Sequence, residues 1–397
     1  MDIYDAEFKA DPFPFYARLR AEQPVSQTTL PDKTRVWLIT RYGDVHALLK
    51  DERFAKNRRD AMTPEQLRKQ PWVPPMFRPL ERNMLDLDPP DHTRLRALVH
   101  KAFTPRLIEQ MQTRVQTLAD ELLDSVVRKR EMDLIRDYAL PLPMTLITEI
   151  LGVPAEDRDK FHKWSKVIVS VNQFSNNWRV ISAIWSFNRY LRRFFKKRRA
   201  EPKDDLVTAL IQAEEAGDTL SEDELFAMVF LLLVAGHETT VNLIGTGTLE
   251  LLEHPAEMEK LRADESLIKL GVEELLRYTA PVFMSTERFA REDVTIQGVK
   301  IPRGEMAFGV IGSANRDESV FENADSLDVA RENNKHLSFG FGIHFCLGAP
   351  LARLEAQIAI NTLLNRMPDL RLKGPAASLR WRPSLILRGL DALPVRF

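Results

Sequence analysis

The chain has 397 residues, of which 56 are lysine or arginine and 57 are aspartate or glutamate, so its formal net charge is −1. This balance gives no support for a nucleic-acid-binding protein, which usually carries a basic excess. The single cysteine, Cys346, excludes an intrachain disulfide and a cysteine-based zinc or iron–sulfur cluster within this chain.

The N-terminal region begins with acidic residues and has no apolar stretch, so we expect neither a secretory signal nor a membrane anchor. The longest apolar run extends only from Leu225 to Ala235, about half the length that a membrane-spanning helix needs. We therefore expect a cytoplasmic protein.

Short elements precede a long loop. Amphipathic patterns predict helices over Asp11–Leu19 and Tyr42–Lys50, and the β-branched and aromatic run Thr34–Thr40 predicts a strand between them. Repeated prolines predict an irregular loop over Gln70–Pro90, because helices do not run through such spacing. Loops of this length in compact domains are often functional.

Helical patterns dominate the middle of the chain. Asp91 is predicted to cap a helix over Thr93–Phe103. Helical periodicity then runs from Arg106 to about Leu261, and Val294–Ile301 changes to the alternation of a strand. Breaks in the helical region are predicted at Pro141, Pro143, Pro154 and Pro202. The pattern predicts a mainly α fold with a small β-sheet region.

The lone cysteine lies in an unusual loop, Phe339-Gly340-Phe341-Gly342-Ile343-His344-Phe345-Cys346-Leu347-Gly348. Glycines permit close backbone approach, and Pro350 suits the first turn of a helix that we predict as far as Leu364. A thiol just before a helix N-terminus is favoured as thiolate. From the residues alone it could act as a nucleophile, a redox sensor or a metal ligand.

The run resembles the haem-binding signature of the cytochrome P-450 family, whose characteristic residues fall here at Phe339, Gly342, Cys346 and Gly348. The resemblance implies that Cys346 is the thiolate ligand of the iron of haem b and that Phe339 packs beside it. It also implies a cytochrome P-450 fold, a single large domain over residues 1–397 that encloses the haem.

Three further motifs resemble the same family. Ala235-Gly236-His237-Glu238-Thr239-Thr240 resembles its oxygen-activation motif, which implies that Glu238 and Thr239 deliver protons during dioxygen activation and that Ala235 and Gly236 leave room for dioxygen. Glu274 and Arg277 match a Glu-x-x-Arg motif, which implies a buried structural pair completed by Arg331. By the same resemblance, the haem propionates would be bound by His92, Arg96, Arg288 and His344.

The resemblance implies a monooxygenase that hydroxylates or epoxidises a hydrophobic small molecule, such as a fatty acyl chain, terpenoid, steroid or macrolide, with dioxygen as oxidant. Electrons would come from a separate ferredoxin or flavodoxin with its NAD(P)H reductase, and we expect a monomer. Substrate would be met by the Gln70–Leu87 loop, by the Phe174–Phe187 region and by individual side chains. These are Met84, Val234, Ala235, Val282, Phe283 and Ile386.

A basic patch is a further hypothesis. Arg94, His100, Lys101 and Arg353 could dock the redox partner.

Three alternatives remain. The enzyme could be driven by peroxide, the protein could be a non-catalytic haem-thiolate sensor, or Cys346 could be a nucleophile without haem. The Glu238–Thr239 pair argues against the first two, because neither a peroxide-driven enzyme nor a sensor needs a proton-delivery pair.

Overall fold

The computed structural model describes residues 3, 6–31, 33–68, 82–103, 105–158, 160, 161, 163, 164, 178–215 and 220–397. The first part of the predicted proline-rich loop, residues 70–81, lies outside the described residues. So do residues 174–177 of the second segment predicted to meet substrate.

Helices make up most of the described chain. The α-helices are α1 (Ala6–Ala10), α2 (Phe13–Glu22), α3 (Tyr42–Leu48), α4 (Arg58–Ala61), α5 (Pro64–Arg68), α6 (Asp91–Ala102), α7 (Pro105–Val127), α8 (Pro141–Ile150), α9 (Trp178–Ala200), α10 (Leu206–Glu215), α11 (Glu222–Glu253), α12 (Pro255–Ala263), α13 (Ile268–Thr279), α14 (Ile311–Ala314) and α15 (Ala349–Arg366). Short 3-10 turns occupy Ala155–Asp157, Glu265–Leu267, Gly342–His344 and Ala376–Ser378, and a π-helical turn occupies Ile135–Ala139.

The strands are short. They are β1 (Val25–Thr29), β2 (Arg35–Ile39), β3 (Phe54–Ala55), β4 (Glu131–Asp133), β5 (Arg288–Ala290), β6 (Val294–Ile296), β7 (Val299–Ile301), β8 (Met306–Gly309), β9 (Arg371–Leu372) and β10 (Pro394–Arg396). Three sheets result, in the orders β1-β2-β8-β5-β3, β4-β10-β9 and β6-β7. Strands β2 and β8 pair in parallel, with Val36 opposite Met306, and the other pairings are antiparallel.

The chain divides into two compact units. Unit 1 comprises Met1–Thr63, Met111–Pro143 and Glu238–Phe397, and unit 2 comprises Pro64–Gln110 and Met144–His237. The described strands all belong to unit 1, and the regular structure described in unit 2 is helical.

One core cluster of unit 1 joins the C-terminal part of α11 to α12, α13 and α15. Its buried members include Leu243, Leu251, Leu275 and Ile360, and Phe339 packs against it. Since α15 begins just after the cysteine loop, this cluster anchors both ends of that loop in apolar packing.

The predicted elements are mostly present, with differences at their ends. The strand over Thr34–Thr40 is β2, and the pattern over Val294–Ile301 is a hairpin whose turn residues, Gln297 and Gly298, have φ of 50° and 76°. This geometry suits a tight two-residue turn.

Two predicted helix boundaries were wrong. Asp91 lies inside α6, and Pro90 holds the cap position. Pro143 does not break a helix, because it lies in the first turn of α8, where a missing N–H costs nothing. The break predicted at Pro141 is confirmed, since α8 begins at that residue.

Candidate functional site

The cysteine loop is closed by short backbone contacts. The Cys346 amide donates to the Phe339 carbonyl at 2.9 Å, and the 3-10 turn Gly342–His344 lies between them. Gly340 and Gly342 have φ of 71° and 73°, a region that side chains disfavour. At Gly342 an added Cβ would also lie 3.1 Å from the Leu49 carbonyl oxygen. Glycine is therefore required there both by conformation and by space.

The Cys346 thiol lies beside the N-terminus of α15. Its side chain is half-buried and forms no disulfide. A Cβ added at Gly348, the cap residue of α15, would lie 4.0 Å from the sulfur. The N-terminal end of a helix carries partial positive charge, so this position favours the thiolate.

The acid–alcohol pair lies on α11, in unit 1. Glu238 is largely buried, with 18% of its side chain exposed, and its carboxylate lies 3.5 Å from the Arg382 guanidinium. Burial raises the pKa of Glu238, and the Arg382 charge offsets that rise only in part. Arg382 also approaches Asp391, at 3.6 Å. Glu238 is thus a carboxyl that can hold a proton more readily than an exposed glutamate can.

The residues of α11 just before this pair belong to unit 2. Ala235 is exposed and Val234 is half-buried. A Cβ at Gly236 would lie 3.1 Å from Ile147 Cδ1, so close packing against α8 accounts for that glycine. That Gly236 leaves room for dioxygen stays a prediction.

Glu274, Arg277 and Arg331 meet in a buried network in unit 1. Glu274 and Arg277 are fully buried and joined by two hydrogen bonds of 2.7 Å. Arg331 Nε donates to the same carboxylate at 3.1 Å, and Asn334 Nδ2 does so at 2.9 Å. Arg277 also donates to the carbonyls of Asn315, Ala324 and Ser326. The Arg277 side chain therefore connects α13 to the segment that precedes the cysteine loop.

The four residues expected at the propionates fall in both units. In unit 1, Arg288 is buried in β5 and His344 is half-buried in the 3-10 turn of the cysteine loop. In unit 2, His92 is buried and Arg96 is half-buried, four residues apart on α6.

Comparison with known proteins identifies the chain. A family model described as Cytochrome P450 matches residues 23–368. The chain belongs to the cytochrome P450 family. It is 46% identical over 392 residues to the polyketide biosynthesis cytochrome P450 PksS of Bacillus subtilis, covering 98% of this chain and 96% of the relative. It is 47% identical over 395 residues to cytochrome P450 107B1 of Saccharopolyspora erythraea, covering 99% and 96%.

Solved structures agree. The structure of Bacillus subtilis PksS matches with a TM-score of 0.93 and 45% identity, covering 100% of this chain and 99% of the other. A myxobacterial P450, CYP267B1 in complex with myristic acid, matches with a TM-score of 0.92 and 42% identity, covering 100% and 98%. The predicted P450 fold is confirmed, and the protein is an enzyme of the cytochrome P450 monooxygenase class.

The cysteine loop of this P450 fits a haem. The Cys346 thiol, which forms no disulfide, supplies as its thiolate the soft anionic donor that haem-thiolate iron takes. The same loop exposes three large apolar side chains, Phe341, Ile343 and Phe345, which are 39%, 49% and 40% exposed. Such an apolar surface beside a thiolate suits a flat macrocycle. The described residues contain no group of three or more His, Cys, Asp or Glu that could hold a different metal ion.

One further buried carboxyl, Glu355, was not predicted from the sequence. Glu355 on α15 is 1% exposed, and neither carboxylate oxygen has a hydrogen bond of standard geometry to any residue that the structure describes. Its pKa is raised to about 8 because burial outweighs the lowering by the nearby Thr240 hydroxyl. The sequence feature that could have indicated this buried carboxyl is its position nine residues after Cys346, within an apolar face of α15.

The candidate substrate residues fall in both units and differ in burial. Val282 and Ile386 are half-buried on paired segments of unit 1, where the Phe283 amide donates to the Ile386 carbonyl at 2.7 Å. Phe283 itself is fully buried against Phe13 and Tyr16, at ring distances of 5.9 and 5.4 Å. That packing corrects its assignment as a substrate contact. In unit 2, Met84 is buried and its amide contacts the Met228 sulfur at 3.4 Å.

Two of the four residues in the predicted basic docking patch already form ion pairs within the protein. Arg94 forms an ion pair with Glu224 in unit 2, and Arg353 forms one with Glu273 in unit 1. A paired charge attracts a partner less than a free one. His100 and Lys101 are exposed.

One helix of the described residues, α11, is long and apolar enough to cross a membrane by length and composition. Of its most apolar stretch, 56% is buried inside the protein.

Proposed function

We propose that this P450 is a haem-thiolate monooxygenase that hydroxylates or epoxidises a hydrophobic small molecule. The observation that carries the proposal is the Cys346 loop: a half-buried thiol at the start of α15, framed by exposed apolar side chains. The Glu238 carboxyl, whose pKa is raised by burial, adds a proton carrier on α11. Together these supply an iron ligand and an acid, the two protein groups that the reaction class needs.

When bound, haem b supplies the activation of dioxygen with two electrons. Cys346 would ligate its iron, and the N-terminal end of α15 would stabilise the thiolate charge. Arg288 and His344, with His92 and Arg96, would bind the propionates through charge-assisted hydrogen bonds. Phe339 would exclude water from the sulfur.

Glu238 and Thr239 would handle protons. The carboxyl is partly exposed, so it can take a proton from solvent on one side, and the Arg382 charge only partly offsets the rise in its pKa that burial causes. Thr239, the next residue on α11, is half-buried, and its hydroxyl would take part in passing protons inward. Such positioned proton transfer is general acid catalysis.

Relatives support the substrate class. One is a polyketide biosynthesis P450, and one was solved with myristic acid. We propose an apolar, chain-like or polyketide-derived substrate, met by Met84, Val234, Ala235, Val282 and Ile386. The protein would act in the cytoplasm as a monomer with one functional domain over residues 1–397. A separate ferredoxin or flavodoxin, with its NAD(P)H reductase, would supply electrons.

An absorption spectrum tests the iron ligand. The reduced carbon monoxide complex of the wild type should show the strongly red-shifted Soret band of a thiolate haem, and Cys346→Ser should lose it. Because Cys346 is the single cysteine of the chain, no other thiolate can substitute. A wild type without that band would refute the proposal and favour a cysteine nucleophile.

Coupling of oxygen use to product tests the proton path. Thr239→Ala should consume dioxygen but form less product, whereas the matched control Thr246→Ala should not uncouple. Thr246 lies on the same helix, and its hydroxyl donates to the Asn242 carbonyl. Turnover with peroxide alone, at the rate seen with reductase and NAD(P)H, would instead support the peroxide-driven alternative.

A further inference from the structure

The Phe339 ring is held by a charged group. The Arg353 guanidinium lies 4.4 Å from the ring centroid, within the range of a cation–π contact. Arg353 is in turn fixed by Glu273, which accepts hydrogen bonds of 2.6 and 2.8 Å from Nε and Nη2. The planar fork of arginine thus meets the carboxylate along one edge while its face covers the ring.

His336 completes the arrangement. The Ser338 amide donates to His336 Nδ1 at 3.2 Å, so Nε2 carries the ring proton and donates to Glu273 at 3.1 Å. Each ring nitrogen of His336 therefore has one hydrogen-bond partner. Its ring centroid lies 5.9 Å from that of Phe339, and its side chain is 3% exposed. The ring of Phe339 is consequently bordered by a fixed imidazole and a fixed guanidinium.

The charges of Glu273 and Arg353 balance each other. Burial alone would raise the pKa of Glu273, but the hydrogen bonds from Arg353 and His336 lower it to about 2. Glu273 is therefore ionised at any working pH, and its negative charge cancels that of Arg353. Removing either side chain leaves a single uncompensated charge in a partly buried place, where charges act over a longer range than in water.

The group is connected to the sulfur ligand through Phe339. The Phe339 carbonyl accepts the hydrogen bond from the Cys346 amide, so the position of Phe339 also sets the backbone of the cysteine. The Phe339 ring lies 6.3 Å from that of Phe345, the residue just before the cysteine. Hydrogen bonding, burial and charge around a ligating sulfur set the reduction potential of its iron.

We propose that Glu273, His336 and Arg353 form a clamp that positions Phe339 beside Cys346, and that its balanced charge sets the reduction potential of the iron. This inference rests on the proposed haem-thiolate function. The three are positioning residues, since they act through Phe339. The proposal also gives Arg353 a role different from docking a redox partner, because Glu273 occupies its fork and Phe339 its face.

Potentiometric titration of the haem-loaded protein tests the clamp. Glu273→Gln leaves the Arg353 charge, which favours the reduced iron, so the midpoint potential should rise. Arg353→Met leaves the Glu273 charge, so the potential should fall. The double variant should return towards the wild-type value, and Arg353→Lys should fall less than Arg353→Met because it keeps the charge.

A matched control lies on the same helix. Arg366 is 31% exposed against 32% for Arg353, and it is also ion-paired, with Asp120 and Asp124. It lies about 20 Å further along α15 at 1.5 Å per residue. Arg366→Met should leave the potential unchanged. A change equal to that of Arg353→Met would show a general effect of surface charge and overturn the clamp.

The outcomes separate the two proposals. If the wild type lacks the red-shifted Soret band, the proposed function fails, and the clamp fails with it. If the band is present and both single variants leave the potential unchanged, or shift it in the same direction, only the clamp is overturned. Should Arg353→Met lose haem, Arg353→Gln removes the same charge with a polar side chain and must lower the potential.

Discussion

Replacing Arg277 by methionine should destabilise the protein more than any other single change in its ion-pair network. Arg277 is fully buried and makes five hydrogen bonds, two to Glu274 and three to backbone carbonyls. Methionine fills a similar volume but donates none of them. Glu274 would then remain buried as a carboxylate with only its weaker partners.

The structure gives the size of this effect. Breaking one side of a buried ion pair costs about 3–5 kcal/mol, because the remaining charge is left without compensation. Arg331, Asn334 and the Asp328 amide still donate to Glu274, which keeps the loss within that range. Arg331 makes a single bond to Glu274, at 3.1 Å. Arg331→Met should therefore cost less, about 1–3 kcal/mol.

Denaturant unfolding followed by far-ultraviolet circular dichroism measures both variants. We expect Arg277→Met to lose more free energy of unfolding than Arg331→Met. The double variant Glu274→Gln with Arg277→Met should be less destabilised than the sum of its single changes. Equal losses for the two arginine variants would refute the reasoning. If Arg277→Met does not accumulate as folded protein, Arg277→Lys keeps the charge and should give the same ranking.

Three further predictions concern stability. The folded pKa of Glu355, about 8, lies above its ordinary value of 4.5, so wild-type stability should fall as pH rises from 4.5 to 8. In Glu355→Gln, thermal unfolding across pH should show a smaller loss of stability, and an unchanged pH dependence would contradict the burial argument. Burial, with a smaller contribution from the Arg388 charge, lowers the pKa of Lys9 from 10.5 to about 7, so stability should rise with pH across that interval. Lys9→Met should lose this rise in stability, and a variant that keeps it would show that another titrating group causes it. A Cβ at Gly389 would lie 2.0 Å from Asn242 Oδ1, so Gly389→Ala should lower the free energy of unfolding in urea by about 1–3 kcal/mol. Adding Asn242→Ala should restore most of the lost stability, and no restoration would show that the clash lies elsewhere.

Local patterns predicted the elements where one residue type dominates. The β-branched run of β2 and the proline and glycine punctuation around the cysteine loop act over a few residues, so they can be read from the chain itself. Helix ends were less predictable. Asp91 and Pro143 both failed as boundary signals, because a cap and a first turn accept the same residue types.

The contacts of individual side chains with distant parts of the chain could not be predicted from the sequence. Arg353 looked like part of a docking patch until the structure placed it against Glu273 and Phe339, 80 and 14 residues earlier in the chain. Phe283 looked available to a substrate, but the fold buries it against Phe13 and Tyr16. Pairing over such distances depends on how helices and sheets pack, which no local pattern records.

The sequence by itself determined the chemistry that this protein can perform. Its single thiol, the glycines around it and the acidic and hydroxyl residues of α11 are covalent facts, and their spacing is fixed before folding. Tertiary structure decided how those groups are tuned. The burial that raises the pKa of Glu238 and Glu355 and the carboxylate that neutralises Arg353 arise only when distant segments meet and exclude water.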